Sequence, residues 1–207
     1  MTIKNIYAFT LLEFLVVVGI TIIIAGIGAS VVISNTKNQL FLNVHNETIE
    51  SAKLAVSMIV KEAREVNNAD NGAYPIELAD KLVFVFYANI DADLAVERVR
   101  YFFDATSGSL MKGITKPTGS PSTYNPGSEI ITTIIPKITN TAVNPLFRYY
   151  NKDYPADTVN NPLSTPANLQ SVTLVEIRVL AQSVKQTLAN PVEVNSFVQL
   201  RNLKSNL

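Results

Sequence analysis

The sequence predicts an α+β protein: one long N-terminal helix, transmembrane in its first half, packed on an antiparallel β-sheet. Its first sign is charge. From Phe14 to Ile33 no residue is ionisable, and a helix of about 20 apolar residues, rising about 1.5 Å each, crosses the roughly 30 Å hydrocarbon core of a bilayer. Past that run, apolar residues recur at alternating steps of three and four as far as Val66, the spacing of one helical face. Beyond Asn67 to Pro75 (NNADNGAYP) the period becomes two, with β-branched and aromatic runs separated by turn residues. A single helix followed by strands is the element order of an α+β fold.

In chain order, residues 1–8 are a short polar leader with one positive charge, Lys4. Residues 9–66 are the long helix, transmembrane over about 14–33, and its helical turns are expected from Thr10 to Val66. Leu42, His45, Ile49, Ala52, Val56, Ile59, Ala63 and Val66 form the stripe that lies against the sheet, while Glu50, Lys53, Lys61, Glu62 and Glu65 fall off it. Gly19, Gly26 and Gly28 in the apolar half serve either close packing between helices or local flexibility.

Residues 67–207 are the globular, β-rich part. Leu82–Ala88 and Val96–Phe103 read as a hairpin turned by Asn89–Ala95, and a third strand follows at Ser109–Thr115. Lys116–Ser128, with three prolines and two glycines, reads as an exposed loop. Glu129–Thr139 carries Pro136 in its interior and reads either as a short helix or as an irregular edge strand. Leu146–Tyr150, Val172–Ala181 and Ser196–Leu203 complete the strands, and Asn151–Asn168 is a proline-bearing surface excursion.

Composition removes several classes of function. Lys plus Arg and Asp plus Glu balance at 17 each, so no basic footprint suggests nucleic acid as a partner. Cysteine is absent, which excludes disulfides and thiolate metal sites. His45 is the only histidine; with no second histidine or cysteine it is a packed or interface imidazole, not a zinc ligand. No Ser-His-Asp nucleophile can be built in the globular part, so neither an enzyme nor a cofactor is expected. Asn89, Asp91 and Asp93 alternate as in a calcium loop. The sixth position from Asn89 is Leu94 instead of Gly and the twelfth is Arg100 instead of Glu, so the segment reads as a hairpin turn and no metal site is expected. Arg98 and Arg100 alternate with Val99 and Tyr101 and read as the solvated face of a strand.

Glu13 is the residue a plain anchor would not keep. A carboxylate at the centre of a spanning helix costs about 2.5–3.5 kcal/mol; near the helix start, headgroup water and the positive end of the helix dipole reduce that cost. Ala8 to Ile20, AFTLLEFLVVVGI, resembles the prepilin cleavage and methylation motif of type IV pilins and type II secretion pseudopilins. The resemblance implies a pilin-like fold, cleavage between Ala8 and Phe9 by a prepilin peptidase, N-methylation of Phe9, and Glu13 as the fifth residue of the mature chain. Where the family usually has Gly before the cut, this chain has Ala8, small enough for a site that selects against bulk. Cleavage would free an α-amino group with a reference pKa of about 7.7–8.0, which the Glu13 carboxylate of a neighbouring subunit can meet as an assembly salt bridge.

The globular part carries a second resemblance. FVFYANIDADLAVERVRYFF, LMKGITKPTGSP, FRYYN and VQLRNL are similar to PilW-like and J-type minor pilins and pseudopilins. This implies a subunit at or near a filament tip, as against a main filament subunit. Its partners would be other major and minor pilins or pseudopilins, the platform protein and the assembly ATPase machinery. It would start in the inner (cytoplasmic) membrane with the globular domain outside, and pass into a cell-surface or periplasmic filament. The alternative is a single-pass anchored binding domain whose loops, Ser120–Ser128 or Asn151–Asn168, hold an external ligand.

Overall fold

The computed structural model describes residues 10–91, 93–185 and 190–200. Helix α1 runs from Leu11 to Arg64 without a break. Strands β1 (Ile76–Ala79), β2 (Val83–Ala88), β3 (Glu97–Asp104), β4 (Ser109–Thr115) and β5 (Ile130–Ile135) follow, then β6 (Phe147–Tyr150), β7 (Leu174–Ala181) and β8 (Val192–Gln199). The protein is α+β, with its long helix packed on antiparallel sheets. The chain divides into two compact units at Asn43/Val44. The globular unit therefore includes the last turns of α1.

The first unit is the apolar helix up to Asn43. Its side chains are exposed along its length, including Leu12 at 74% and Ile22 at 67%.

In the globular unit the strands form two meanders, β1-β2-β3-β4-β5 and β6-β7-β8, where the sequence suggested one sheet. The cause is Pro136. It follows the last residue of β5, offers no N–H to a ladder, and turns the chain away. Ile138 then donates its backbone N–H to Gly108 (2.8 Å) and Thr139 to Leu180 (2.8 Å), so this segment joins both sheets. The Glu129–Thr139 stretch is thus an edge strand that ends at its proline. Strand β1 was not foreseen, and β8 lies four residues earlier than expected, starting at Val192.

One core serves both sheets and the helix. Phe84 of β2 lies 4.8 Å from Phe86 and 5.7 Å from both Phe147 and Tyr149 of β6, measured between ring centroids. Against these rings α1 sets Ala52, Ala55, Val56, Ile59, Val60 and Ala63, all buried. Small side chains here let the helix backbone come close to the sheet. The expected stripe holds from Ala52 to Val66, but Leu42 is exposed at 55%, and burial begins instead at Val44 and Thr48. Leu42 belongs to the first unit, and the globular unit starts at Val44.

Candidate functional site

The helix start is built by Thr10 and Glu13. The Glu13 backbone N–H donates to Thr10 Oγ1 at 3.3 Å, and the Phe14 N–H donates to the Thr10 carbonyl at 3.2 Å. Thr10 is therefore the N-cap, satisfying one of the donors a helix end leaves open. The spacing Thr-x-x-Glu is the sequence signature of a capping box, a signal available in the residues and passed over for Thr10. Glu13 stands in the first turn, where the helix dipole favours an anion. Ala8 and Phe9 lie outside the described residues. From Leu11 onward the helix is long and apolar enough to cross a membrane, and the qualifying stretch is wholly unburied.

A second polar group lies inside the globular unit. Glu62, assigned by its spacing to the solvent side of α1, is buried at 9% exposure. Its Oε2 accepts from the Tyr101 hydroxyl at 2.6 Å and its Oε1 from Lys112 Nζ at 2.5 Å. Tyr101 of β3 and Lys112 of β4 are direct cross-strand partners, so two adjacent strands present their polar tips to one helix carboxylate. Burial, then the Glu62 charge, pushes the Tyr101 hydroxyl well above its ordinary pKa. The available signal was parity: Lys112 shares a face with buried Leu110, and an inward lysine requires a partner.

Arg98 and Arg100 are more than a solvated face. Arg98 donates to both Glu77 oxygens at 2.7 Å. Arg100 donates to the two oxygens of Glu129 at 2.8 and 2.5 Å and stacks 3.8 Å over the Phe102 ring. The hydrogen bonds from Arg98, ahead of other causes, hold the Glu77 carboxyl below its ordinary value. His45 is half-buried on α1. The Asn89–Asp93 segment is the β2–β3 turn, as its spacing suggested, and Lys116 Nζ reaches Asp91 Oδ2 at 2.6 Å and Asp93 Oδ2 at 2.7 Å.

No protein-family model and no curated protein matches the sequence. Among solved structures, one match is the crystal structure of the GspK-GspI-GspJ complex from the enterotoxigenic Escherichia coli type 2 secretion system. It has 10% identity and a TM-score of 0.44, over 75% of this chain and 98% of that one.

Proposed function

We propose that this chain is a minor pilin or pseudopilin: a membrane-anchored subunit that is cut between Ala8 and Phe9, N-methylated at Phe9 and drawn into a type IV pilus or type II secretion filament near its tip. The observation that carries this reading is the AFTLLE motif, placed so that its Thr10 caps, and its Glu13 opens, an exposed apolar helix. Cleavage would put the Phe9 ammonium one residue ahead of the N-cap, beside the positive end of the helix dipole, an unfavourable neighbour. Glu13 offsets that charge within the first turn. In a parallel stack of helices it can instead meet the ammonium of the next subunit, where removal of one partner of a buried pair costs about 3–5 kcal/mol.

The partners are other major and minor pilins or pseudopilins, a prepilin peptidase, a platform protein and an assembly ATPase. The globular domain lies outside the inner membrane, and the subunit ends in a cell-surface or periplasmic filament. Two measurements test the reading. Mass spectrometry of assembled material is expected to find methylated Phe9 at the N-terminus; an intact Met1 refutes processing. Glu13→Ala is expected to be processed but depleted from sheared filaments, and undiminished entry refutes the assembly role.

A further inference from the structure

Each sheet has two edges, and the chain closes one edge of each. Strand β1 is closed by Ala167, whose N–H donates to the Ala79 carbonyl at 2.8 Å. Strand β6 is closed by Lys81, whose carbonyl accepts the Leu146 and Phe147 N–H groups at 2.9 and 3.0 Å, and by Leu163, whose N–H donates to the Tyr149 carbonyl at 2.8 Å. The other two edges are β5 and β8. Among the described residues, no backbone group of Ile130–Ile135 bonds beyond β4, and none of Val192–Gln199 bonds beyond β7.

Native proteins blunt an open edge with charge, with an interior proline or with a bulge. Strand β5, IITTII, has no charge, and Pro136 stands only after its end. Its first four residues are exposed, with Ile130 at 69% and Ile131 at 51%. The one irregularity in its pairing, opposite Leu110 and Met111, falls at its far end, so Ile130–Thr133 stays regular. Strand β8 carries one charge, Glu193, and Arg178 already holds it at 2.6 and 2.8 Å. Val194–Val198 (VNSFV) has none, and Pro191 stands ahead of the strand. Both edges are therefore undefended where they are open.

An unpaired ladder selects its occupant by backbone, since an extended segment offers N–H and C=O groups at strand spacing. Side chains narrow the choice. A charged strand laid on IITTII would lose water and gain no partner, so the occupant is uncharged over the contact. Val194–Val198 meets both demands and is open for the same reason. We propose that the β5 edge of one copy of this chain pairs with the β8 edge of a second copy, so that two sheets join across the contact. Pairing β5 with β5 would leave both β8 edges bare, whereas β5 on β8 uses every open edge within a row of copies. Such a contact is heterologous, head to tail, and repeats without a two-fold axis to stop it. It goes beyond the filament reading and does not rest on it: neither processing at Phe9 nor the Glu13 pair enters, so its failure leaves that reading standing.

The chain has no cysteine, so single cysteines report the contact directly. Full-length Ile131→Cys, Thr132→Cys and Thr133→Cys proteins in detergent micelles are each mixed with Asn195→Cys, Ser196→Cys or Phe197→Cys and oxidised with copper phenanthroline. Disulfide-linked dimers are expected with a period of two, because successive residues of a strand point to opposite faces. Against any one β8 position, Thr132 should behave oppositely to Ile131 and Thr133. Equal yields in every mixture mean chance collision and overturn the proposal, as does the absence of dimer, or a dimer formed as readily by the β5 cysteines alone. Sedimentation equilibrium in density-matched micelles gives a second test. The natural chain should grow past dimer with concentration. Ile131→Lys with Thr133→Lys blunts β5, and Asn195→Lys with Phe197→Lys blunts β8; all four positions are exposed, so the circular dichroism should not change. Each blunted protein alone should stay monomeric, and an equal mixture of the two should stop at a dimer. Association that persists in both blunted proteins comes from α1 and overturns the proposal.

Discussion

Replacing Lys112 with Met should destabilise the protein severely, because it strands a buried charge. Glu62 has two carboxylate oxygens, each holding one partner: Tyr101 at 2.6 Å and Lys112 at 2.5 Å. The side chains of Lys112 and Glu62 are only 10% and 12% exposed, so water cannot replace the lost ammonium. Removing one member of such a pair costs about 3–5 kcal/mol, or roughly two to four orders of magnitude in the folded-to-unfolded ratio. Tyr101→Phe deletes a charge-assisted hydrogen bond but leaves the pair, so about 1.5–3 kcal/mol is expected. The double change Glu62→Leu with Lys112→Met removes both charges and should return to within about 1–2 kcal/mol of the natural chain. Urea unfolding of the full-length protein in micelles, followed by tyrosine fluorescence, supplies all three values. A Lys112→Met cost below about 1 kcal/mol, the range of exposed pairs, would refute the burial argument.

Three further outcomes are expected. Glu77 is held below its ordinary value of 4.5 by Arg98, with Tyr87 as second donor; its stabilising contribution is complete above that value and is lost as pH falls through the depressed folded one. Glu77→Gln should therefore lower the thermal midpoint at about pH 6, and the difference from the natural chain should shrink as pH falls below the ordinary value. Asn140 is buried, donates from Nδ2 to the Arg178 carbonyl at 2.8 Å and accepts the Leu180 N–H at 2.9 Å; Asn140→Ala should cost about 2–3 kcal/mol and speed hydrogen exchange at Leu180. A Cβ on Gly113 would overlap the Glu129 carboxyl group, so Gly113→Ala should break the Arg100 pair and cost about 1 kcal/mol, seen as a lower thermal midpoint that Glu129→Ala largely abolishes.

What could be read from residues alone was whatever local periodicity controls. The helix was legible because apolar spacing persists from Leu11 to Ala63 with no proline, and β2, β3 and β4 because β-branched and aromatic residues cluster between turns. Strand β1 escaped because IELA is four residues with one charge and one alanine, too short to show a period. The division into two sheets was not read from Pro136, because whether a proline ends one sheet or only interrupts it depends on which distant segments the chain meets next, here Ile138 with Ala181. At the helix start the motif named Glu13 but not the cap at Thr10. In the globular unit Glu62 was placed off the packed stripe by its spacing, yet it is buried and held by Lys112, a partner 50 residues away in the chain.

The buried acid of α1 has a further consequence for where the helix sits on its sheet. Its packed face is rich in alanine, at Ala52, Ala55 and Ala63, and small apolar side chains distinguish weakly between one helical register and the next. A slide of one turn would bring Met58 to the place of Glu62, with similar apolar area but no acceptor for Tyr101 and Lys112. That register would leave a buried ammonium and a buried hydroxyl unpaired, a penalty of several kcal/mol against the slide. Close approach therefore comes from the alanines and position from Glu62. The exposed Glu47–Lys185 pair, at 2.8 Å, adds little to either, since an ion pair in water is worth about 0–1 kcal/mol.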